Sequence, residues 1–172
     1  MGDIGAGNLE CDGSRGVPSV SIFEVTLFGY AGLDFYNVNI VDGYNLQMRM
    51  LLAANGTGYC SAVDCSPDLM IYNCPPALYV AQHERDNSPV VACKSACAAF
   101  GSLEYCCIGF YASSETCTSA IDYSRLFKDH CHTAYSYVAY NDANSTFTCT
   151  NPTILCNFCA WKHHFSSSLL GN

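Results

Sequence analysis

Cysteine has more chemistry to offer than any other residue in this chain. There are thirteen in 172 residues, and a thiol can be oxidised to a disulfide, ligate a metal or attack as a thiolate. As staples, that many cysteines point to an oxidising compartment and a disulfide framework, and the odd count leaves at least one without a partner in the chain. As ligands, Cys156-x-x-Cys159 followed by His163 and His164 has donor types and close spacing that zinc accepts. The plainer reading is unpaired thiols in a frayed end. The vicinal pair Cys106-Cys107 lacks the C-x-x-C spacing and the βαβ setting of a redox site. His83, His130 and His132 are scattered, and no Ser/His/Asp or Cys/His spacing supports nucleophilic catalysis. Staples are the reading adopted, with no metal and no cofactor.

The elements that must hold these residues have ample apolar material. Half of the residues are hydrophobic and only 13% are charged, which argues against disorder and for a substantial core. Seven Lys and Arg against fifteen Asp and Glu give a net charge of −8. That balance excludes a nucleic-acid partner, whose phosphates need basic residues, and suits a neutral or cationic one. No apolar run is long enough to span a membrane. Residues 1–5 do not read as a secretory signal, lacking a basic start and an apolar stretch. The cysteines say secreted and the first residues do not; a chain that has lost its beginning reconciles the two. Asn55-Gly-Thr57 and Asn144-Ser-Thr146 are N-glycosylation sequons, meaningful in a secreted chain.

Three local patterns organise the chain. In residues 33–48, LDFYNVNIVDGYNLQM, strand formers precede Asp42-Gly43, a dipeptide suited to a two-residue hairpin turn. Beyond it Asn45, Gln47 and Arg49 alternate with Leu46, Met48 and Met50, so a β-hairpin is predicted here. Residues 19–27 alternate too, with Phe23, Val25 and Leu27 on one face and Ile22, Glu24 and Thr26 on the other. Ser88-Pro89 reads as an N-cap with proline in the first turn. A helix is therefore predicted near 89–101, with Cys93, Cys97 and Phe100 on one face.

Several of these segments together resemble the thaumatin-like proteins, a plant defence family. DFYNVNIVDGYNLQM is similar to the family's DFYDVSLVDGYNLPM, and SVSIFEVTL to its TLAEFTL strand. CSAVDCSPDLMIYNCPPAL follows its cysteine-rich block, and VVACKSACAAF, YCC, YSRLFK, AYSY and STFTC follow further segments in order. GDIGAGNLEC resembles GDCGGLLQC, with Ile4 in place of a cysteine. The similarity covers most of residues 2–150 and blurs after Cys149. It implies a mainly β fold: a thaumatin-like β-sandwich, incomplete for want of the family's first third, with a disulfide-rich loop and helix lobe. The expected division is a partial sandwich over 1–58, the lobe over 59–135, a return to the sandwich over 136–159, and a divergent, disordered tail over 160–172.

The resemblance also implies a set of bonds and a site. It pairs Cys60 with Cys149, Cys65 with Cys131, Cys74 with Cys93, Cys97 with Cys106 and Cys107 with Cys117, leaving Cys11, Cys156 and Cys159 unpaired. The family carries an acidic cleft, associated with antifungal action and in some members with cleavage of β-1,3-glucan. Glu24 and Asp42 match two of its carboxylates and are the candidate catalytic pair. Asn37 and Thr133 stand where two more would be. Glycoside hydrolysis needs one protonated and one ionised carboxyl at a defined separation, and half of the carboxylates are neutral here. The expectation is a secreted, monomeric, pathogenesis-related glycoprotein that binds β-1,3-glucan or a fungal surface without turnover. The alternatives are a weak endo-β-1,3-glucanase and a truncated family member with no function of its own.

Overall fold

The computed structural model describes residues 18–53, 60–65, 73–82, 88–118, 121–136, 144–150 and, as backbone, 153–158. Among these residues nine strands and three α-helices follow in order: β1 (Ile22–Thr26), β2 (Asp34–Asn39), β3 (Gly43–Tyr44), β4 (Met48–Ala53), β5 (Val63–Cys65), β6 (Tyr79–Ala81), β7 (Val90–Lys94), α1 (Ala96–Phe100), α2 (Leu103–Cys106), α3 (Ile121–His130), β8 (Phe147–Cys149) and β9 (Thr153–Phe158). The strands form three antiparallel three-stranded sheets, ordered β1-β2-β8, β3-β7-β6 and β5-β4-β9. The fold is mainly β, as the sequence patterns require.

Strand β2 shows why. Its residues alternate strictly between buried and half-buried, with Asp34, Tyr36 and Val38 inward and Phe35, Asn37 and Asn39 outward. That is the period of two that a sheet with one covered face imposes. Tyr36, Val38 and the following Ile40 join Tyr44, Met48, Met50, Val63, Leu78 and Phe127 in one core, with Cys65, Cys74, Cys93, Cys131 and Cys149 among them. The phenol of Tyr36, fully buried, is not orphaned: it donates to the Ser61 carbonyl at 2.8 Å and accepts from the Ser61 N–H at 2.9 Å.

The predicted hairpin around Asp42-Gly43 is not formed. β2 pairs with β1 and β8, β3 with β7, and β4 with β5 and β9. One local and one long-range hydrogen bond divert the chain. Asn39 closes a turn on itself through its side-chain oxygen and the Val41 N–H, at 2.9 Å; this Asx-turn ends β2 early. Asn45 is engaged by the Ser21 N–H at 3.0 Å, so the run from 45 to 47 is not strand. Gly43, at φ 120°, lies so close to the Cys93 carbonyl and the Ser19 side chain that a Cβ would collide with both. The turn glycine is thus a seat for β7 rather than the corner of a hairpin.

The helix predicted near 89–101 is also corrected. Val90–Lys94 is strand β7, which places Cys93 in a sheet, and only Ala96–Phe100 is helical. The N-cap is Ser95, whose hydroxyl accepts from the Ala98 N–H at 3.2 Å, not Ser88. Gly101 ends the helix in the left-handed conformation, its N–H on the Cys97 carbonyl. The β-branched pair Val90-Val91 suits a sheet, and strand partners on both sides override the helical spacing.

Among the described residues five disulfides cross this framework: Cys60–Cys149, Cys65–Cys131, Cys74–Cys93, Cys97–Cys106 and Cys107–Cys117, with Cα separations of 5.0, 4.5, 5.9, 4.5 and 5.2 Å. These are the five pairs that the resemblance implies. Cys11, Cys159, His163, His164, Asn55 and the tail over 160–172 lie outside the described residues, and Cys156 enters only as backbone in β9.

Candidate functional site

The outward face of the β1–β2 pair carries the first of the candidate residues. Antiparallel register sets Glu24 opposite Asn37 and Ile22 opposite Asn39, and residues directly opposite share a face. Glu24, exposed on β1, is therefore flanked by two amides of β2. The Asn39 Nδ2 donates to Glu24 Oε1 at 3.2 Å. Asn37 is half-buried, and its Oδ1 is shielded from solvent without a hydrogen-bond partner among the described residues.

Asp42 lies three residues past Asn39, where the chain leaves the sheet. It is exposed and lines a cavity of about 110 Å³ with Ser95, Tyr105, Ser124 and Ser136, walled in part by Cys97, Cys106 and Cys107. Ser95 caps α1, Tyr105 belongs to α2 and Ser124 to α3, so three helices contribute to one cavity that Asp42 also lines. Tyr105 packs in a three-ring cluster: its centroid is 4.7 Å from that of Phe100 and 5.9 Å from that of Tyr123, and those two are 5.6 Å apart. A carboxylate, hydroxyls and an aromatic ring around one hollow are groups that hydrogen-bond and stack on a polyhydroxylated ligand.

Thr133 is not part of that lining. Its hydroxyl donates to the Asp64 carbonyl at 2.9 Å and accepts from the Asp64 N–H at 3.2 Å, tying the turn after α3 to β5. Glu24 is likewise outside the cavity. Two of the four positions read from sequence are thus exposed carboxylates, one is an amide beside Glu24, and one is a structural hydroxyl. Missed from sequence were Asn39 and the cavity-lining Ser95, Tyr105, Ser124 and Ser136. For Asn39 a signal existed: a polar residue at an outward strand position, two before the residue whose N–H it accepts. For the cavity residues, which converge through tertiary packing, there was none. Among the described residues no cluster of three or more His, Cys, Asp or Glu is placed to hold a metal, and no helix is long and apolar enough to cross a membrane.

A sheet-rich fold stapled by five disulfides, with a small hollow beside Asp42, is the class this geometry defines. The sequence model of the Thaumatin family matches residues 1–160, beyond the point at which segment-by-segment resemblance fades, and the chain belongs to that family. The similar proteins include pathogenesis-related thaumatin-like protein 3.5 of Cryptomeria japonica, 47% identical over 151 residues, which are 88% of this chain and 58% of that one. Pathogenesis-related protein 5 of Arabidopsis thaliana is 46% identical over 153 residues, 89% of this chain and 60% of that one. Thaumatin-like protein 1 of Castanea sativa is 41% identical over 158 residues, 91% and 62%. The chain therefore spans about three fifths of the length of these relatives.

Proposed function

We propose that this chain is a secreted, defence-related binding protein that holds β-1,3-glucan, free or on a fungal surface, along the face carrying Glu24 and the cavity beside Asp42. The observation that carries this reading is the convergence of Asp42, Tyr105, Ser124, Ser95 and Ser136 on one hollow, next to a sheet face bearing one carboxylate between two amides. Neutral hydroxyls are suited to such a surface, and the net charge of −8 disfavours anionic polymers. Binding without turnover is supported by the substitution at Asn37 and the engagement of Thr133 with Asp64, since hydrolysis depends on paired carboxyls at a set separation. Five disulfides fit an extracellular site of action. The exposed Asn144, in the turn before β8, is accessible for the N-linked glycan that its sequon specifies.

The test is retention of the oxidised protein on insoluble β-1,3-glucan, with Asp42→Asn and Tyr105→Ala alongside. Retention lost in both variants supports the reading. A wild-type protein that stays in the supernatant overturns it. Release of reducing sugar that disappears in Glu24→Gln establishes turnover instead.

A further inference from the structure

We infer that Asn39 is a positioning residue that fixes Glu24 relative to the segment bearing Asp42, through opposite ends of one amide. Its oxygen accepts from the Val41 N–H at 2.9 Å and its Nδ2 donates to Glu24 Oε1 at 3.2 Å. The orientation of the amide is not arbitrary. A backbone N–H can only donate, so the atom facing Val41 must be the oxygen, and the NH₂ is left for the acceptor-only carboxylate. The backbone of Asn39 is itself gripped from two sides. It pairs with Ile22 of β1, and it forms a parallel bridge to Tyr135 in which the Ile40 N–H reaches the Tyr135 carbonyl at 2.9 Å and the Tyr135 N–H reaches Val38 at 2.7 Å.

Because the Asx-turn also sets where Val41 and Asp42 leave the sheet, one side chain couples the two carboxylate-bearing positions. The change Asn39→Asp would keep the acceptor for Val41 but face Glu24 with a like charge. Serine is too short to span both partners, and glutamine would carry the amide past the turn geometry. The inference rests on the binding role proposed for Glu24 and adds what determines its placement.

Glucan affinity is measured for the wild type, Asn39→Asp, Glu24→Gln and the double variant. Asn39→Asp weakens binding roughly tenfold, the size of one charge-assisted hydrogen bond. In the Glu24→Gln background the same change costs little, because the new glutamine amide donates to the introduced carboxylate with the roles exchanged. An equal loss in both backgrounds assigns Asn39 a turn-forming role only and overturns the inference. The ligand-free arm is NMR of the Asn39 side-chain amide. In the wild type its protons shift on Glu24→Ala, while the Val41 amide stays protected. Asn39 protons indifferent to Glu24→Ala overturn the pairing whether or not glucan binds. Absent glucan binding with the NMR coupling intact overturns the binding role alone.

Discussion

Single side chains decide this site more than its overall charge does. Asn37 stands opposite Glu24 with its oxygen shielded and, among the described residues, unpartnered. Asn37→Asp would place a carboxylate in that spot beside another, where both desolvation and the like charge disfavour ionisation. The expected result is a less stable protein at neutral pH, by about 1–3 kcal/mol, with the difference shrinking as pH falls and the new group takes up its proton. Urea unfolding at pH 7 and pH 4 checks it. Tyr36 offers a second case. Burial holds its phenol above the ordinary tyrosine value, against a partly offsetting pull from the Ser61 hydrogen bond. The neutral form is thus favoured in the folded chain. Its contribution is complete below the unfolded pKa, about 10, and is lost as pH rises through the folded value. Tyr36→Phe removes two hydrogen bonds and leaves the Ser61 N–H and carbonyl unpaired. A loss of about 1–3 kcal/mol is expected at pH 7, together with a flatter stability profile above about pH 10, read by denaturant titration.

Elements here are short, and their ends are secured by individual polar groups. The link from β1 to β2 contains Phe28 and Ala31 at positive φ, 51° and 59°, a conformation that residues other than glycine adopt at a cost. Asp34, buried at the start of β2, accepts from the Phe28 N–H at 2.8 Å and holds that link closed. Asp34→Ala is expected to release the Phe28 amide to fast hydrogen exchange and to loosen β1, while the β4–β9 pairing stays protected. Protection unchanged at Phe28 would mean that the link is held by other contacts. This end of the molecule also exposes apolar residues. Val25 and Leu27 share the Phe23 side of the alternation but are 42% and 61% exposed, although Val25 lies opposite the buried Tyr36; among the described residues β1 is an edge strand. Glu24, at the centre of that edge, puts a charge where another strand would pair, a common guard against edge-to-edge association.

For the molecule as a whole, covalent bridges supply restraint that a core of this size shares with them. Cys60–Cys149 closes a separation of 89 residues and Cys97–Cys106 one of 9. On the chain-entropy account these contribute roughly 4–5 and 2–3 kcal/mol. Replacing Cys60 and Cys149 by serine should therefore lower the unfolding free energy by clearly more than replacing Cys97 and Cys106, which a pair of urea titrations decides. With five disulfides among thirteen cysteines, at most three thiols should react in the denatured, unreduced protein. A count near thirteen would mean that the bridges do not form.

Much of this was written in the chain itself. The alternation in residues 34–39 follows from a period that any half-covered strand must show, and the resemblance of whole segments to a known family implied the class of fold and the five pairs found joined. What the chain left open is which strands meet. Asp42-Gly43 has the chemistry of a hairpin turn, yet Gly43 lies against β7 because a non-local neighbour leaves no room for a side chain there. Val90–Lys94 has helical spacing, yet becomes a strand because β3 and β6 flank it. Likewise Asn39, Tyr105 and Ser136 become neighbours of Glu24 or Asp42 only once sheet and helices are assembled. Local preferences are worth a few tenths of a kcal/mol per residue, and burial against a partner is worth several times that, so tertiary contact settled each case where the two disagreed.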